Sequence, residues 1–463
     1  MGFRLSFHIF SYRIRLVKSS VKLKQVVLLL GDTVALYLSL AVSLYLRYFP
    51  RVDFTENPPF YEHMPVFSLI FAVTLIIFYI AGFYEIHYFR GALEFFKKLG
   101  RTLLVVGGAA IVILYIFSNT LTPKTNLVLF LIVFVFIELF WRRWFNNFLI
   151  KGAPLTKVAI AGENILTGEL TDYLTKNKQF GYQVTKVMER MGNATPKEVV
   201  ERLQKDGVGM LLIPTDVKSD DTVARVAYEA LLSNIEVADF AIFYEGVFRK
   251  VPVDELTKAW LLQKIGGGRT IYEVIKEGME RLLALVLFII LLPIMALVAI
   301  AVKLSSTGPV FYHQRRVGFR EKEFSLIKFR SMRTDAEKDG AQWSSGKNDA
   351  RVTAVGRFLR RSHLDELPQL INVLRGEVSL VGPRPERPEF VSELKKEIPY
   401  YELRHLVKPG ITGWAQINFR YGASVADAKE KLTYDLYYVK NRSFWLDIGT
   451  ILKTAKLFFI NVE

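Results

Sequence analysis

Two adjacent carboxylates, Asp365 and Glu366, have the most specific chemical surroundings in the chain, because arginines flank them and a short amphipathic helix follows. Leucine and isoleucine residues between 367 and 374 recur at the i, i+3, i+4, i+7 spacing of one buried helical face. Pro368 is compatible with the first turn of that helix, and Gly376 with its end. We therefore expect Asp365 at or near the N-cap, where the helix dipole favours an ionised carboxylate and attracts phosphate.

The same pair also fits a purely structural role. An acidic first turn is ordinary helix capping, and Ser362-x-x-Asp365 has the spacing of a capping box. For the dipeptide alone capping is the favoured interpretation, so a catalytic role depends on what surrounds it.

The surroundings are basic, with 15 Lys and Arg against 8 Asp and Glu between positions 303 and 375. The cations fall in four clusters: Lys328 with Arg330 and Arg333, Arg351 with Arg357, Arg360 with Arg361, and Arg384 between Pro383 and Pro385. Each cluster alone is typical of a solvated basic face. Together with a carboxylate pair they fit phosphoryl transfer, which needs a nucleophile, charge neutralisation and a divalent metal. Nucleic acid is not the expected partner, because the region lacks a nucleic-acid-binding signature.

Composition places this chemistry on a membrane protein. The 463 residues are 51% hydrophobic, with 61 Lys and Arg against 45 Asp and Glu. The chain has no cysteine, which excludes disulfides, Cys-based zinc sites and thiol catalysis. Its six histidines show no metal-ligand spacing.

Four apolar segments, 26–46, 66–83, 102–118 and 127–141, predict a four-helix transmembrane domain over residues 1–150. Basic residues precede the first segment, lie between the second and third, and follow the fourth, so the N-terminus and everything after Arg143 are expected in the cytoplasm. Asp32 lies inside the first segment. We expect it to make a polar contact within the bundle rather than to form a functional site.

Residues 151–245 alternate strand and helix patterns, which predicts a Rossmann-like domain with a mostly parallel α/β sheet. A dinucleotide site needs G-x-G-x-x-G after the first strand, and positions 162–167 retain only the first glycine. We therefore expect a non-catalytic or regulatory domain. Residues 246–270, which include Gly266-Gly267-Gly268, are predicted to be a linker.

A fifth apolar segment, 282–302, is long enough to span a membrane. Cations stand on both sides of it, as expected if both ends lie on the cytoplasmic side, and Pro293 at its middle can kink the helix. We favour a re-entrant helix rather than a true transmembrane span. This helix would cover about residues 280–303 and bend at Pro293. Positions 441–459 carry aromatic residues among lysines, the pattern of an interfacial helix or of an ordinary amphipathic core helix.

Ordered motifs extend through the last 190 or so residues. They are Gly308-Pro309-Val310-Phe311, Gln314-Arg315-Arg316-Val317-Gly318, Lys328-Phe329-Arg330-Ser331-Met332, Asn348-Asp349, Arg351-Val352-Thr353, Gly356-Arg357-Phe358, Asp365-Glu366-Leu367-Pro368-Gln369-Leu370, Ser379-Leu380-Val381-Gly382-Pro383-Arg384-Pro385 and Lys408-Pro409-Gly410-Ile411-Thr412-Gly413. With these motifs, residues 271–463 resemble the monotopic phosphoglycosyl transferases, the bacterial sugar transferases that start glycan assembly on polyprenol phosphate. The whole chain looks like the large form of that family, with a mostly helical monotopic catalytic domain at 271–463.

The resemblance implies a two-step reaction on the cytoplasmic face of the bacterial inner membrane, the first membrane step of exopolysaccharide, capsule or O-antigen synthesis. Asp365 would attack the β-phosphorus of a UDP-sugar, releasing UMP and leaving a covalent phosphosugar on the carboxylate. Polyprenol (undecaprenyl) phosphate would then take the phosphosugar.

The resemblance also implies roles for the neighbouring residues. Glu366 with Asp365 would bind Mg²⁺ (or Mn²⁺). The candidates for holding phosphate are Lys328, Arg330, Arg360 and Arg384. Membrane lipid is an implied partner, and the resemblance suggests a homodimer. One departure concerns the start of the membrane helix, where the family has Lys-Arg and an Asp and this chain has Lys276, Glu277 and Glu280.

Two other functions remain open. A membrane-anchored NAD-dependent nucleotide-sugar dehydratase would need a Tyr-x-x-x-Lys pair, and Tyr182/Lys186 and Tyr272/Lys276 have that spacing by coincidence. A non-catalytic multispan protein, such as a five-span transporter or scaffold, would place the residues after Lys303 outside the cell.

Overall fold

The computed structural model describes residues 3–49, 59–85, 92–117, 124–151, 155–188, 194–215, 220–256, 271–333, 336, 351–419 and 424–460. The chain divides into two compact units, Met1–Gly246 and Val247–Glu463.

Unit 1 begins with four helices, as the hydropathy pattern predicts. They are α1 (Phe3–Tyr48), α2 (Pro59–Ala81), α3 (Ala92–Phe117) and α4 (Lys124–Lys151). Leu23–Tyr48, Phe60–Ala81 and Phe95–Phe117 are long and apolar enough to cross a membrane. The helix α4 is equally long but carries Glu138, Arg142 and Arg143 in its second half. Buried aromatic and aliphatic side chains from all four helices form one core.

Asp32 is buried in this bundle and contacts α4. Arg142 donates a hydrogen bond to Asp32, and the Nε of Arg142 donates to Glu138 at 2.7 Å. The Trp141 indole N–H donates to the other Asp32 oxygen at 3.0 Å. The expected polar contact within the bundle is therefore present. Its partner Arg142, assigned from the sequence to the cytoplasmic flank, is instead buried with Asp32 and Glu138.

The α/β part of unit 1 is a four-stranded parallel sheet in the order β2-β1-β3-β4. Its elements are β1 (Thr156–Ala161), α5 (Ile165–Lys176), β2 (Tyr182–Met188), α6 (Pro196–Lys205), β3 (Val208–Ile213), α7 (Asp221–Leu232), β4 (Glu236–Asp239) and α8 (Phe240–Phe248). The parallel α/β sheet is confirmed, and its strand order is that of a doubly wound fold. The last strand, β4, ends at Asp239, and Phe240 begins α8.

Part of the predicted linker belongs to the core of unit 2. Val251, Val253 and Leu256 are buried in a cluster with Trp414 and Leu436. Apolar side chains in a free linker would stay in water, so burial ties this segment to the domain. Unit 2 therefore begins before the predicted boundary at 271, and residues 257–270 with the three glycines lie outside the described residues.

The rest of unit 2 is mostly helical, as predicted. Its elements are α9 (Ile271–Ser305), β5 (Phe311–Val317), β6 (Glu323–Phe329), α10 (Ala354–Ser362), α11 (Gln369–Arg375), β7 (Ser379–Val381), α12 (Pro388–Glu397), β8 (Gly410–Thr412), α13 (Trp414–Asn418), α14 (Val425–Asn441) and α15 (Phe444–Ile460). β5 and β6 form an antiparallel hairpin, and β7 pairs with β8 in parallel. On α15, Asp447 is buried while Trp445 is 79% exposed.

The apolar helix α9 continues through Pro293 and packs on unit 2 along both halves. Ala284, before the proline, lies in a cluster with Leu370 of α11. Val302, after the proline, lies in a cluster with Phe329 of β6. Other apolar side chains of α9 are exposed: Leu282, Ile289, Ile290, Leu297, Ile300 and Leu304. The helix therefore buries one face in the protein and presents a large apolar face outward. The bend at Pro293 and the re-entrant path stay predictions.

The first turns of α9 are held by a buried polar cluster. Lys276 Nζ donates to the Val381 carbonyl at 2.9 Å and lies 3.0 Å from an Asp447 carboxylate oxygen. Ser379 donates to the Glu280 carboxylate at 2.8 Å. Glu280 therefore connects α9 to β7.

Candidate active site

Asp365 and Glu366 lie in a short 3₁₀ turn, Leu364–Glu366, between α10 and α11. The turn follows His363, whose φ of 54° is in the left-handed region. Pro368 is the N-cap residue of α11, and Ser362 donates its hydroxyl back to α10. Asp365 is therefore near the N-cap of α11 but is not the N-cap residue itself, because the left-handed residue redirects the chain and α11 starts at Gln369. The capping-box interpretation is wrong, because the Ser362 hydroxyl donates to α10 instead. Capping therefore does not explain the pair.

Glu366 is neutralised by two cations that bind the same carboxylate oxygen. Lys328 Nζ on β6 lies 2.8 Å from Oε1 and Arg384 Nη2 lies 2.7 Å from it. Burial opposes ionisation of Glu366, but Arg384 and Lys328 outweigh it and hold the pKa of this carboxyl well below its ordinary value. Glu366 also raises the pKa of Arg384 above its usual value. Glu366 is therefore a fixed anion at neutral pH.

Asp365 has a different environment, although it is the adjacent residue. It is only 7% exposed, and none of the other described residues makes a hydrogen bond to its carboxylate. Burial raises the pKa of Asp365, while the charges of Lys328 and Arg360 oppose that rise. A desolvated carboxylate without hydrogen-bond donors is a better nucleophile than a fully paired one. Of the two carboxylates, Asp365 is therefore the one available to react.

The two remaining predicted phosphate ligands differ in availability. Arg360 lies in the last turn of α10, and its Nε donates to the Ser331 hydroxyl at 3.0 Å. Its terminal nitrogens make no hydrogen bond to the part of the chain that the structure describes, and its charge acts on Asp365. Arg330 is buried, and its terminal nitrogens donate to the Ser306 and Thr307 carbonyls at 2.7 and 3.1 Å. The geometry favours Arg360 for phosphate contact, and it gives Arg330 the role of holding the loop after α9.

Asn372, which sequence reasoning missed, aligns β6 with the turn Leu364–Glu366 that carries the two carboxylates. Its amide accepts from the Ile327 N–H at 3.1 Å and donates to the Ser325 carbonyl at 2.8 Å. The side chain thus occupies hydrogen-bonding positions that a neighbouring strand would take, and it fixes Lys328 relative to α11. A signal was present in the sequence, since Asn372 is a polar residue next to the apolar face of a short helix.

The carboxylate pair fits a magnesium ion only together with a phosphate ligand. Among the described residues no group of three His, Cys, Asp or Glu side chains could hold a metal. Mg²⁺ usually binds one or two carboxylates and takes its other ligands from water and substrate phosphates. Asp365 and Glu366 supply that number. The motif residues Asn348 and Asp349 lie outside the described residues.

The Tyr-x-x-x-Lys pairs do not form a catalytic pair of the dehydratase kind. Tyr182 and Lys186 lie on β2, and Tyr272 and Lys276 belong to the polar cluster at the start of α9. In that cluster Tyr272 donates to Asp447 and Lys276 donates to Tyr438.

The catalytic-site motifs match known proteins. The sequence profile described as bacterial sugar transferase matches residues 271–461. UDP-glucose:undecaprenyl-phosphate glucose-1-phosphate transferase of Xanthomonas campestris pv. campestris is 34% identical over 338 residues, 68% of this chain and 69% of that protein. UDP-N-acetylgalactosamine-undecaprenyl-phosphate N-acetylgalactosaminephosphotransferase of Aeromonas hydrophila is 39% identical over 249 residues, 53% of this chain and 58% of that protein.

A shorter relative is matched almost throughout its own length. The exopolysaccharide production protein PSS of Rhizobium leguminosarum bv. phaseoli is 39% identical over 187 residues, which are 39% of this chain and 94% of that protein. The family profile and the relatives agree on the family. The chain belongs to the bacterial sugar transferase family.

Proposed function

We propose that this protein transfers a sugar 1-phosphate from a UDP-sugar to polyprenol phosphate, releasing UMP and forming a polyprenyl diphosphate sugar. The observation that carries the proposal is the contrast between the two neighbouring carboxylates. Glu366 is paired with Lys328 and Arg384, whereas Asp365 is buried and makes no hydrogen bond to another described residue. The names of the relatives, which include undecaprenyl-phosphate sugar phosphotransferases, support the same reaction class.

The first step is an attack by an Asp365 carboxylate oxygen on the β-phosphorus of the UDP-sugar. The new bond joins that oxygen to phosphorus, and the bond from phosphorus to the bridging oxygen breaks. UMP leaves with the bonding electron pair. In the second step a phosphate oxygen of polyprenol phosphate attacks the same phosphorus, and the Asp365 carboxylate departs unchanged.

The surrounding cations stabilise the charge that these steps move. Arg360 and Arg384 would bind the diphosphate, and Lys328 would hold Glu366 in position. A bound Mg²⁺ (or Mn²⁺) would be held by Glu366 and Asp365 and would neutralise diphosphate charge. The sugar is not specified by these contacts, and the relatives' names differ between glucose and N-acetylgalactosamine.

We place the reaction at the cytoplasmic face of the bacterial inner membrane, as an early step of exopolysaccharide, capsule or O-antigen synthesis. Residues on both sides of Pro293 pack against unit 2, while other side chains of α9 are apolar and exposed. Both features support a helix that enters and leaves the membrane on one side. Membrane lipid is thus a partner of α9, and a homodimer stays a prediction.

The topology is testable because the natural chain contains no cysteine. Ser392→Cys introduces one thiol at an exposed position of α12. We expect it to be protected from an impermeant maleimide in intact cells and labelled after lysis. Labelling in intact cells would contradict the proposed orientation and favour the multispan, non-catalytic alternative.

The reaction is tested by UMP release from a panel of UDP-sugars with undecaprenyl phosphate in detergent. We expect wild type to release UMP with at least one sugar, and to form a phosphosugar adduct when the acceptor is omitted. Asp365→Asn should lose turnover and the adduct, since an amide is a poor nucleophile. Asp254→Asn, an exposed change in the same unit, is the matched control. Undiminished turnover in Asp365→Asn would refute the nucleophile assignment.

A further inference from the structure

Residues 383–386, which include Arg384, are held by hydrogen bonds that their carbonyl groups accept from other residues of unit 2. Four consecutive carbonyls each accept one hydrogen bond, and the donors come from three parts of unit 2. The Gly410 N–H donates to the Pro383 carbonyl, and Arg404 Nη2 donates to the Arg384 carbonyl. Arg316 Nη1 donates to the Pro385 carbonyl, and the Val317 N–H donates to the Glu386 carbonyl. Each distance is 2.9 Å.

This segment depends on such donors because of its composition. Pro383 and Pro385 have no N–H group, so the segment cannot form a regular strand ladder. Two of the four donors are backbone N–H groups, those of Gly410 at the start of β8 and of Val317 at the end of β5. The other two are arginine side chains, and one of them contacts the carbonyl of Arg384 itself.

Arg404 is rigidly placed by its own partners. It is 5% exposed, and Asp435 of α14 is 2% exposed. Its Nη2 lies 2.8 Å from an Asp435 carboxylate oxygen, and its Nη1 donates to the Tyr401 hydroxyl at 2.6 Å. Burying an ion pair contributes little net stability, because desolvation offsets the attraction. The pair is therefore better explained by the geometry that it imposes than by stability.

We propose that Arg404, held by Asp435, is a positioning residue for Arg384. By fixing the Arg384 carbonyl, Arg404 sets the direction from which the Arg384 guanidinium reaches Glu366, 2.7 Å away. The catalytic consequence rests on the proposed function, whereas the structural consequence does not. An arginine is needed here because its planar guanidinium contacts Asp435, Tyr401 and the Arg384 carbonyl at once. A lysine ammonium cannot make these three contacts in the same geometry.

The structural consequence is tested by hydrogen–deuterium exchange of the full-length protein in detergent. Arg404→Lys and Asp435→Asn should speed exchange of the Val317 and Gly410 amides, which donate to the Glu386 and Pro383 carbonyls, by about tenfold or more, which corresponds to about 1.4 kcal/mol of lost protection. Glu430→Gln is the matched control, because Glu430 lies on the same helix as Asp435 and pairs with Lys250 at 2.9 Å. Unchanged exchange at these amides, or an equal increase across the whole of unit 2, would overturn the proposal.

The catalytic consequence is tested by a double-mutant cycle in the UMP-release assay. Arg404→Lys should lower kcat/KM by about 10–100-fold, the effect of a small misplacement of a substrate-binding group. In the presence of Arg384→Lys, the further change Arg404→Lys should cost less than about twofold, because its target is already lost. Full additivity, or wild-type activity of Arg404→Lys, would overturn the positioning role. If wild type releases no UMP with any sugar, the proposed function fails, and the exchange experiment alone decides the role of Arg404.

Discussion

Lys328 and Glu366 form a 2.8 Å ion pair although they are 38 residues apart in the chain. Arg384 binds the same Glu366 oxygen from the other side at 2.7 Å. Two cations bind the Glu366 carboxylate, whereas the neighbouring Asp365 has no ion pair with another described residue, so two adjacent acidic residues acquire opposite properties. Glu366 is a fixed anion, and Asp365 is a desolvated carboxylate with a raised pKa.

Glu366→Gln should impair both activity and stability. The change leaves Lys328 and Arg384 close together without a counter-charge. We expect a loss of about 1–3 kcal/mol in unfolding free energy, less than the about 3–5 kcal/mol of a fully buried pair because Arg384 is partly exposed. Turnover should fall at least about 100-fold, by loss of electrostatic preorganisation. Thermal unfolding and UMP release measure the two effects. Glu323→Gln, which removes an exposed pair with Arg315, should change stability by less than about 1 kcal/mol, and an equal effect of both changes would contradict the assignment.

Lys328→Met should shift the acid limb of the pH–rate profile to higher pH. Asp365 must be ionised to attack, and burial already raises its pKa. Lys328 lowers that pKa, so its removal raises the pKa further and a higher pH is needed for the same ionised fraction. Single-turnover UMP release across pH measures the limb. The exposed change Lys322→Met is the control and should leave the limb in place. A shift of the Lys328→Met limb to lower pH would show that Asp365 is not the group that titrates.

Asn372→Leu should destabilise unit 2 and reduce activity together. The buried Ile327 N–H would lose its partner, at about 1–3 kcal/mol for an unsatisfied buried group, and the Ser325 carbonyl would lose its donor. Lys328 follows on the same strand and would lose its alignment with Glu366. Thermal unfolding and kcat/KM for the UDP-sugar are the measurements. The control is Asn418→Leu at an exposed position, which should behave as wild type. Wild-type stability of Asn372→Leu would mean that the side chain does not connect β6 to α11.

Arg142→Met should strongly destabilise the helical bundle. Asp32 and Glu138 would remain buried without their cation, a change that costs about 3–5 kcal/mol for a buried pair. Adding Asp32→Asn should recover part of the loss, because one of the two uncompensated charges is removed. Thermal unfolding in detergent measures both variants. Arg143→Met, at the adjacent exposed position, is the control. If the double variant is less stable than Arg142→Met alone, the ion pair does not explain the burial.

Local patterns predicted most of the elements. Hydropathy located α1 to α4 and α9, and the alternation of strand and helix patterns located the parallel sheet. The N-cap Thr195 with Glu198 forms the capping box that its spacing predicts. These features depend on residues close together in the chain, where side-chain periodicity and capping chemistry act directly.

Features that depend on distant residues escaped local reasoning. Asp365 does not cap a helix, since the left-handed His363 redirects the chain before α11. Val251 and Val253 fall in the predicted linker, because the few apolar residues of that segment show no periodicity. Only their packing on the C-terminal core reveals their role. Arg330 and Arg360 look equivalent as basic residues, but Ser306 and Thr307 bind only the first.

The sequence by itself determined the membrane character, the α/β domain and the motifs of the bacterial sugar transferase family, because periodicity, charge and residue order are local properties. It also singled out Asp365 and Glu366 as the candidate catalytic pair. Only the tertiary structure decided which of the two is neutralised. That distinction arises from Lys328 and Arg384, which the folds of β6 and of the segment after β7 bring to one oxygen of Glu366. Charge pairing depends on distances in space, and those are set by packing rather than by spacing in the chain.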